Sequence, residues 1–156
     1  MILLTGGTGK TSQYLAPLLE KANQHVLLTS RSGTVEPYQP SRPVLFDWEK
    51  ISTHQHPFTV AGSDHIDRVF LVSPMKVGLF PHVKAFIDLA ISKGVKRFVL
   101  LSATVCDLGE TDMGCTHEYL MRSGVQYCVL KPTWFAGTKA PITLIFFSIF
   151  PDNSFV

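Results

Sequence analysis

The chain is poor in the features that mark several protein classes. It has three cysteines, at 106, 115 and 128, an odd number with no Cys-x-x-Cys spacing. That favours neither a disulfide framework nor a metal site. Charge of one sign is also scarce. Fourteen Lys and Arg against 12 Asp and Glu leave +2, with the basic residues scattered along the chain. Counterion release needs a clustered basic footprint, so neither nucleic acid nor an anionic membrane is expected as the main partner. The opening Met1-Ile2-Leu3-Leu4-Thr5 lacks the positive n-region and cleavage site of a secretory signal. A reducing, cytoplasmic setting is the expectation. What the chain does have is a core: 46% of its 156 residues are hydrophobic, 11 of them Phe, and 17% are charged. This excludes a disordered protein and fits one domain.

Short apolar runs rich in β-formers alternate with helical patterns, the trace of a parallel sheet covered by helices. Strands are expected at Ile2 to Thr5, His25 to Ser30, Pro43 to Phe46, Arg68 to Val72, Arg97 to Ser102 and Gln126 to Leu130. Leu15, Leu18, Leu19 and Ala22 predict a first helix, which Pro17 should kink or strain. Val83, Phe86, Ile87 and Ala90 form the clearest stripe, opened by Pro81 and stopped by Gly94. A further helix spans Asp112 to Ser123. Between Asp47 and Ile66 the pattern is weak, and Pro57 and Gly62 break any long helix. The run from Ile142 to Phe150, nine residues between Pro141 and Pro151, is too short to cross a bilayer as a helix. As a strand it is apolar on both faces and must be buried or invite aggregation. The expected architecture is therefore α/β, a Rossmann-like doubly wound parallel sheet over residues 1–136, followed by an atypical apolar tail over 137–156.

Thr5-Gly6-Gly7-Thr8-Gly9-Lys10-Thr11 follows the first strand and opens the first helix. Glycines let a backbone approach a pyrophosphate, whose charge meets the unpaired amides of a helix N-terminus. Gly6 and Gly9 fit a G-x-x-G-x-x-G variant of the dinucleotide fingerprint, with Ser12 at the third position. A triphosphatase P-loop would need glycine five residues before Gly9, where Leu4 stands, so that reading fails. Gly6, Gly7, Gly9, Lys10 and Thr11 are the candidate phosphate residues.

The second strand ends in Thr29-Ser30-Arg31-Ser32, with no carboxylate to bond a ribose 2′-hydroxyl. Arg31 can clamp a 2′-phosphate bidentately and Ser32 can add a hydroxyl, so NADPH is the expected cofactor; a solvated surface arginine is the plain alternative. Asp47 either reaches the adenine amino group or caps the turn at Trp48-Glu49-Lys50. Ser73-Pro74 and Lys131-Pro132 leave the fourth and sixth strands, where they would border the nicotinamide half.

Together these segments, with Phe46-Asp47-Trp48, Gly94-Val95-x-Arg97-Phe98-Val99-Leu100-Leu101-Ser102-Ala103, His117-Glu118-Tyr119-Leu120 and Leu130-x-Pro132-Thr133-Trp134-Phe135, resemble the ergot-alkaloid reductases called festuclavine and agroclavine dehydrogenases. These are NmrA-like atypical short-chain dehydrogenases. The resemblance covers residues 1 to about 136. It implies NADPH-dependent reduction of a cyclic iminium, formed from chanoclavine-I aldehyde, to a tetracyclic clavine. It also implies that family members continue well beyond this length, supplying a C-terminal portion that shapes the substrate pocket. After Phe135, Ala136-Gly137-Thr138 departs from the family's usual continuation, so the sequence beyond about 137 is expected to come from a frameshift, a retained intron or a mispredicted gene.

Ordinary short-chain dehydrogenases use Tyr-x-x-x-Lys, the lysine lowering the phenol's pKa. Tyr119 has Ser123 four residues on, so the device is absent and no catalytic residue is assigned. An iminium carbon is already electrophilic and its reduction gives a neutral amine, so hydride delivery needs orientation more than a proton donor. His117, at helical spacing with Met113, Leu120 and Met121, reads as a packed residue rather than a catalyst. Cys115-x-His117 and His54-x-His56 lack further ligands, and no metal is expected. Ser102, at the end of the fifth strand, is a contact candidate. The alternatives to a reductase are a non-enzymatic NADP-binding sensor or regulatory module, an inactive fragment, or a chain whose pocket is completed by another pathway reductase or subunit.

Overall fold

A computed structural model describes residues 1–34, 42–136 and 143–151, with the backbone alone for 133–136 and 143–151. Apolar runs become strands and each amphipathic stretch a helix laid against them. In chain order these are β1 (Ile2–Leu4), α1 (Lys10–Lys21), β2 (Val26–Ser30), β3 (Arg42–Leu45), α2 (His56–Ala61), β4 (Arg68–Leu71), α3 (Phe80–Ser92), β5 (Arg97–Leu101), α4 (Asp112–Arg122), β6 (Gln126–Ala136) and β7 (Thr143–Pro151).

The sheet runs β3-β2-β1-β4-β5-β6-β7. The first six strands are parallel, and β7 pairs antiparallel with β6. This is the doubly wound order: the chain steps outward from β1 to β3, then crosses back to place β4 on the other side of β1. A crevice opens where the direction reverses, at the carboxyl ends of β1 and β4.

Alternation along the strands divides the core. Leu3, Leu27, Val69, Leu71, Phe98, Leu100 and Val129 share one face with Val83, Phe86, Ile87 and Ala90 of α3 and Leu120 of α4. Ile2, Leu4, Val26, Leu28 and Phe70 share the other with Ala16 of α1. The stripe expected on α3 is the stripe it buries. Gly94, at φ +91°, ends that helix. Its amide donates to Ile91 O at 2.9 Å and the Val95 amide to Ala90 O at 3.0 Å, the paired bonds of a Schellman stop.

The first helix forms as expected, with Pro17 inside it, and ends at Lys21. One strand is longer than expected. β6 runs on through Pro132 to Ala136: its ladder with β5 ends at Leu130, and beyond that it pairs with β7 alone. The register against β7 shifts on both sides of Pro132. The apolar run near the end of the chain forms β7, the outermost strand; its side-chain burial lies outside what is described. Among the described residues no helix is long and apolar enough to cross a membrane.

Candidate functional site

Thr5 ends β1 as a junction. Its amide donates to Phe70 O at 3.0 Å, and its hydroxyl accepts the Val72 amide at 2.6 Å, fastening β1 to the exit of β4. The chain then reverses. Gly6 takes φ +64°, a left-handed conformation that glycine adopts without strain. The amide of Gly6 donates to Thr29 Oγ1 at 3.1 Å, that of Gly7 to Thr29 O at 2.9 Å and that of Gly9 to Gly6 O at 2.8 Å. These three glycine amides are thus engaged inside the turn. The donors left for an anion are those of Lys10, Thr11 and Ser12, the first residues of α1, which have no acceptor within the helix. No side chain caps α1 and no acid stands in its first turn, so its positive end remains available to phosphate. Ser12, in place of the third glycine, is buried, and its hydroxyl donates to Thr5 O at 3.1 Å.

A cleft of about 440 Å³ opens above this turn, lined by Gly6, Thr8 and Gly9, by Thr29 to Arg31, by Phe46 to Glu49, and by Val72 to Pro74 with Lys76. It lies at the carboxyl ends of β1 to β4, where doubly wound sheets hold ligands. Another cavity, about 450 Å³, lies at the opposite end of the sheet beside Met1, His25, Val26 and Arg42, away from the turn.

The sequence candidates distribute unevenly. Gly6, Gly9, Arg31, Asp47 and Ser73 meet around the cleft. Gly7 sits behind it, and an added Cβ would come within 2.6 Å of Thr29 O. Lys10 and Thr11 open α1 beside it. Arg31 is exposed and has no hydrogen bond or ion pair among the described residues. Ser32 lies outside the lining, its hydroxyl 3.4 Å from Ser30 Oγ and 2.9 Å from Thr34 Oγ1. Asp47 lines the cleft, and its carboxylate accepts the Glu49 amide at 3.1 Å as the capping alternative expected. Lys131 is not brought to the cleft; its ammonium donates to Cys106 O at 2.7 Å. Thr8, Thr29, Trp48, Glu49 and Lys76 also line the cleft and were not singled out as candidates in the sequence. Their only signal was proximity to strand ends already identified.

Beneath the cleft floor lies an aromatic cluster. Phe46 stacks on His54 at 5.0 Å, and Trp48 and Phe86 meet Phe46 edge-on at 4.8 and 5.1 Å. His54 is buried with its Nε2 3.2 Å from Trp48 O; burial holds its pKa below the usual value, with His82 adding to the effect. His117 is buried on α4 and likewise lowered, by burial and then by Lys131. Tyr119 turns away: its hydroxyl donates to Asp88 on α3, whose carboxylate raises the phenol's pKa, while Lys84 lies 4.7 Å from its ring centre. Ser102 is buried, with its hydroxyl unpartnered among the described residues.

These residues fit an anionic dinucleotide. The cleft has an uncapped helix end at one point, at another a guanidinium without a partner among the described residues, and no carboxylate in Thr29 to Ser32. Solved structures of similar fold include the Escherichia coli NADPH-dependent quinone oxidoreductase complexed with NADPH, at TM-score 0.67 and 22% identity over 86% of this chain and 50% of that one. The Citrobacter triphenylmethane reductase complexed with NADP(H) matches at TM-score 0.66 and 17% identity, over 86% and 50%. No family model matches the chain. Among curated proteins, agroclavine dehydrogenase of Claviceps fusiformis is 44% identical over 136 residues, 86% of this chain and 46% of that protein. Festuclavine synthase I of Penicillium roqueforti is 42% identical over 139 residues, 86% and 47%. Festuclavine dehydrogenase of Aspergillus fumigatus is 40% identical over 139 residues, with the same coverage. The chain spans about half the length of the curated relatives it matches. Over the 86% of its length that aligns, the chain is similar in sequence to the agroclavine and festuclavine dehydrogenases.

Proposed function

We propose that the cleft binds NADPH and that residues 1–136 form the dinucleotide-binding part of an oxidoreductase of clavine alkaloid formation, reducing a cyclic iminium to a neutral amine. The observation that carries the cofactor reading is the end of β2, where Arg31 stands on the cleft wall with no partner among the described residues and Thr29 to Ser32 include no carboxylate. The names of the relatives support the substrate class.

In this reading the amides of Lys10, Thr11 and Ser12 hold the pyrophosphate, and Arg31 with Ser32 takes the 2′-phosphate. Asp47 faces the adenine, and Ser73 borders the path toward the nicotinamide. Ser102, its hydroxyl unpartnered among the described residues, stands at the end of β5 as a further contact candidate. Bound NADPH supplies a hydride. This chain's part is to fix the cofactor's position and orientation, because Tyr119 is held by Asp88 and has no lysine partner at the fourth residue on. The exposed apolar side chains of Met75, Val77, Val105 and Leu108, on the loops after β4 and β5, suit the apolar ring faces of a polycyclic substrate.

Arg31→Ala tests the cofactor reading. NADPH affinity should fall about ten- to hundredfold, the worth of charge-assisted bonds to a phosphate, while NADH affinity stays nearly level. Equal affinities before and after, by fluorescence titration, overturn it. Loss of nicotinamide absorbance on mixing the chain, NADPH and the iminium supports turnover. The turned-away Tyr119 favours a second reading, a non-enzymatic NADP sensor, and tight NADPH binding without turnover would support that one.

A further inference from the structure

Two walls of the cleft are joined by one ion pair. Glu49 follows β3 and Lys76 follows β4, and Lys76 Nζ lies 2.7 Å from Glu49 Oε2. In the sheet, β3 and β4 are separated by β2 and β1. Three strand spacings put their ends about 14 Å apart. Both side chains line the cleft, whose floor is made by Gly6, Thr29 and Ser30 at the ends of β1 and β2. The two loops therefore lean toward each other, and their charges meet across the space between.

The walls are unequal. Glu49 stands beside Trp48, which is buried and wedged edge-on against Phe46 at 4.8 Å and Phe86 at 5.3 Å. Asp47 braces the same turn by accepting the Glu49 amide. That side is a fixed post. Lys76 instead sits between Met75 and Val77, 85% and 98% exposed, on a loop that turns at Gly78 with φ +83°. No packing of those neighbours holds that side. The ion pair itself is half-exposed, with side-chain exposures of 58% and 57%, so water screens it and it opens at little cost.

We propose that Glu49 and Lys76 form a clasp over the adenosine end of the cleft, a pair of positioning residues that governs how fast the cofactor enters and leaves. This rests on the cofactor reading above. With the clasp closed, the Lys76 loop lies over bound dinucleotide; with it open, the mouth is free.

The test is stopped-flow mixing of the full chain with NADPH, read by quenching of tryptophan fluorescence, Trp48 being on the cleft wall. Glu49→Gln and Lys76→Met should each speed NADPH dissociation by about two- to fivefold, the scale of an exposed ion pair. The charge-swapped double variant, Glu49→Lys with Lys76→Glu, should restore the original rate. Added salt should speed dissociation from the native chain more than from either single variant. Unchanged rates in both single variants overturn the clasp. So do rates that move in opposite directions, the mark of Lys76 acting directly on phosphate. Failure of the native chain to bind NADPH at all overturns the cofactor reading, and the clasp with it.

Discussion

A methyl group at position 7 would press on β2, 2.6 Å from Thr29 O, 3.0 Å from Leu28 Cβ and 3.1 Å from Thr29 N. None of these can retreat without parting β2 from the turn. Gly7→Ala should therefore cost about 1–3 kcal/mol, the penalty of overpacking, and lower the melting temperature by several degrees. Thermal unfolding followed by circular dichroism checks it, and an unchanged midpoint would show the turn to be more yielding than drawn. The glycine motif was legible in the sequence, but its division of labour was not. The sequence marked Gly6, Gly7 and Gly9 as turn residues beside a helix end; the structure adds that their amides go to Thr29 Oγ1, Thr29 O and Gly6 O. Which carbonyl takes which amide depends on β2 lying alongside β1, a contact between residues more than twenty apart.

Among the elements, α3 shows a glycine needed for a different reason. At Gly94 there is open space, with no atom within 4 Å of an added Cβ, yet its φ of +91° is one that other residues resist. Gly94→Ala should cost roughly 1–2 kcal/mol from backbone strain alone, measurable as a lowered urea midpoint with unchanged slope. This stop, and the stripe of Val83, Phe86, Ile87 and Ala90, could be read directly because helical periodicity is local. Arg31, Asp47 and Ser73 were found at the cleft for a similar reason: each stands just beyond a strand, and strand ends point one way in a parallel sheet. Glu49 and Lys76 were hidden because their meeting depends on strand order. Gly114 was hidden too. An added Cβ there would collide with Asp107 O, showing how closely the loop after β5 presses on α4, and nothing in the spacing announced it.

For the whole molecule, two imidazoles set an acid limit. His54 and His117 are both held below the usual histidine value of 6.5 by burial. The unfolded chain therefore binds protons that the folded chain refuses. Stability is complete above the ordinary histidine range and falls as the pH drops through 6.5 toward the folded values. Melting temperatures measured from about pH 8 to about pH 5 should decline on the acid side, and His54→Gln should flatten part of that decline. A flat profile in the native chain would mean that neither ring resists its proton.

The Thr5 junction links these scales. Its hydroxyl takes the Val72 amide, its carbonyl takes the Ser12 hydroxyl, and its own amide takes Phe70 O. The first helix, the first strand and the fourth strand are thus knotted through one residue at the mouth of the crevice. A load on any of the three is felt by the other two. If the helix end holds an anion as proposed, binding should tighten the central seam of the sheet, and heat that loosens the seam should slacken the hold on the anion. Retention of ligand and cohesion of the sheet should accordingly fail together, as one event.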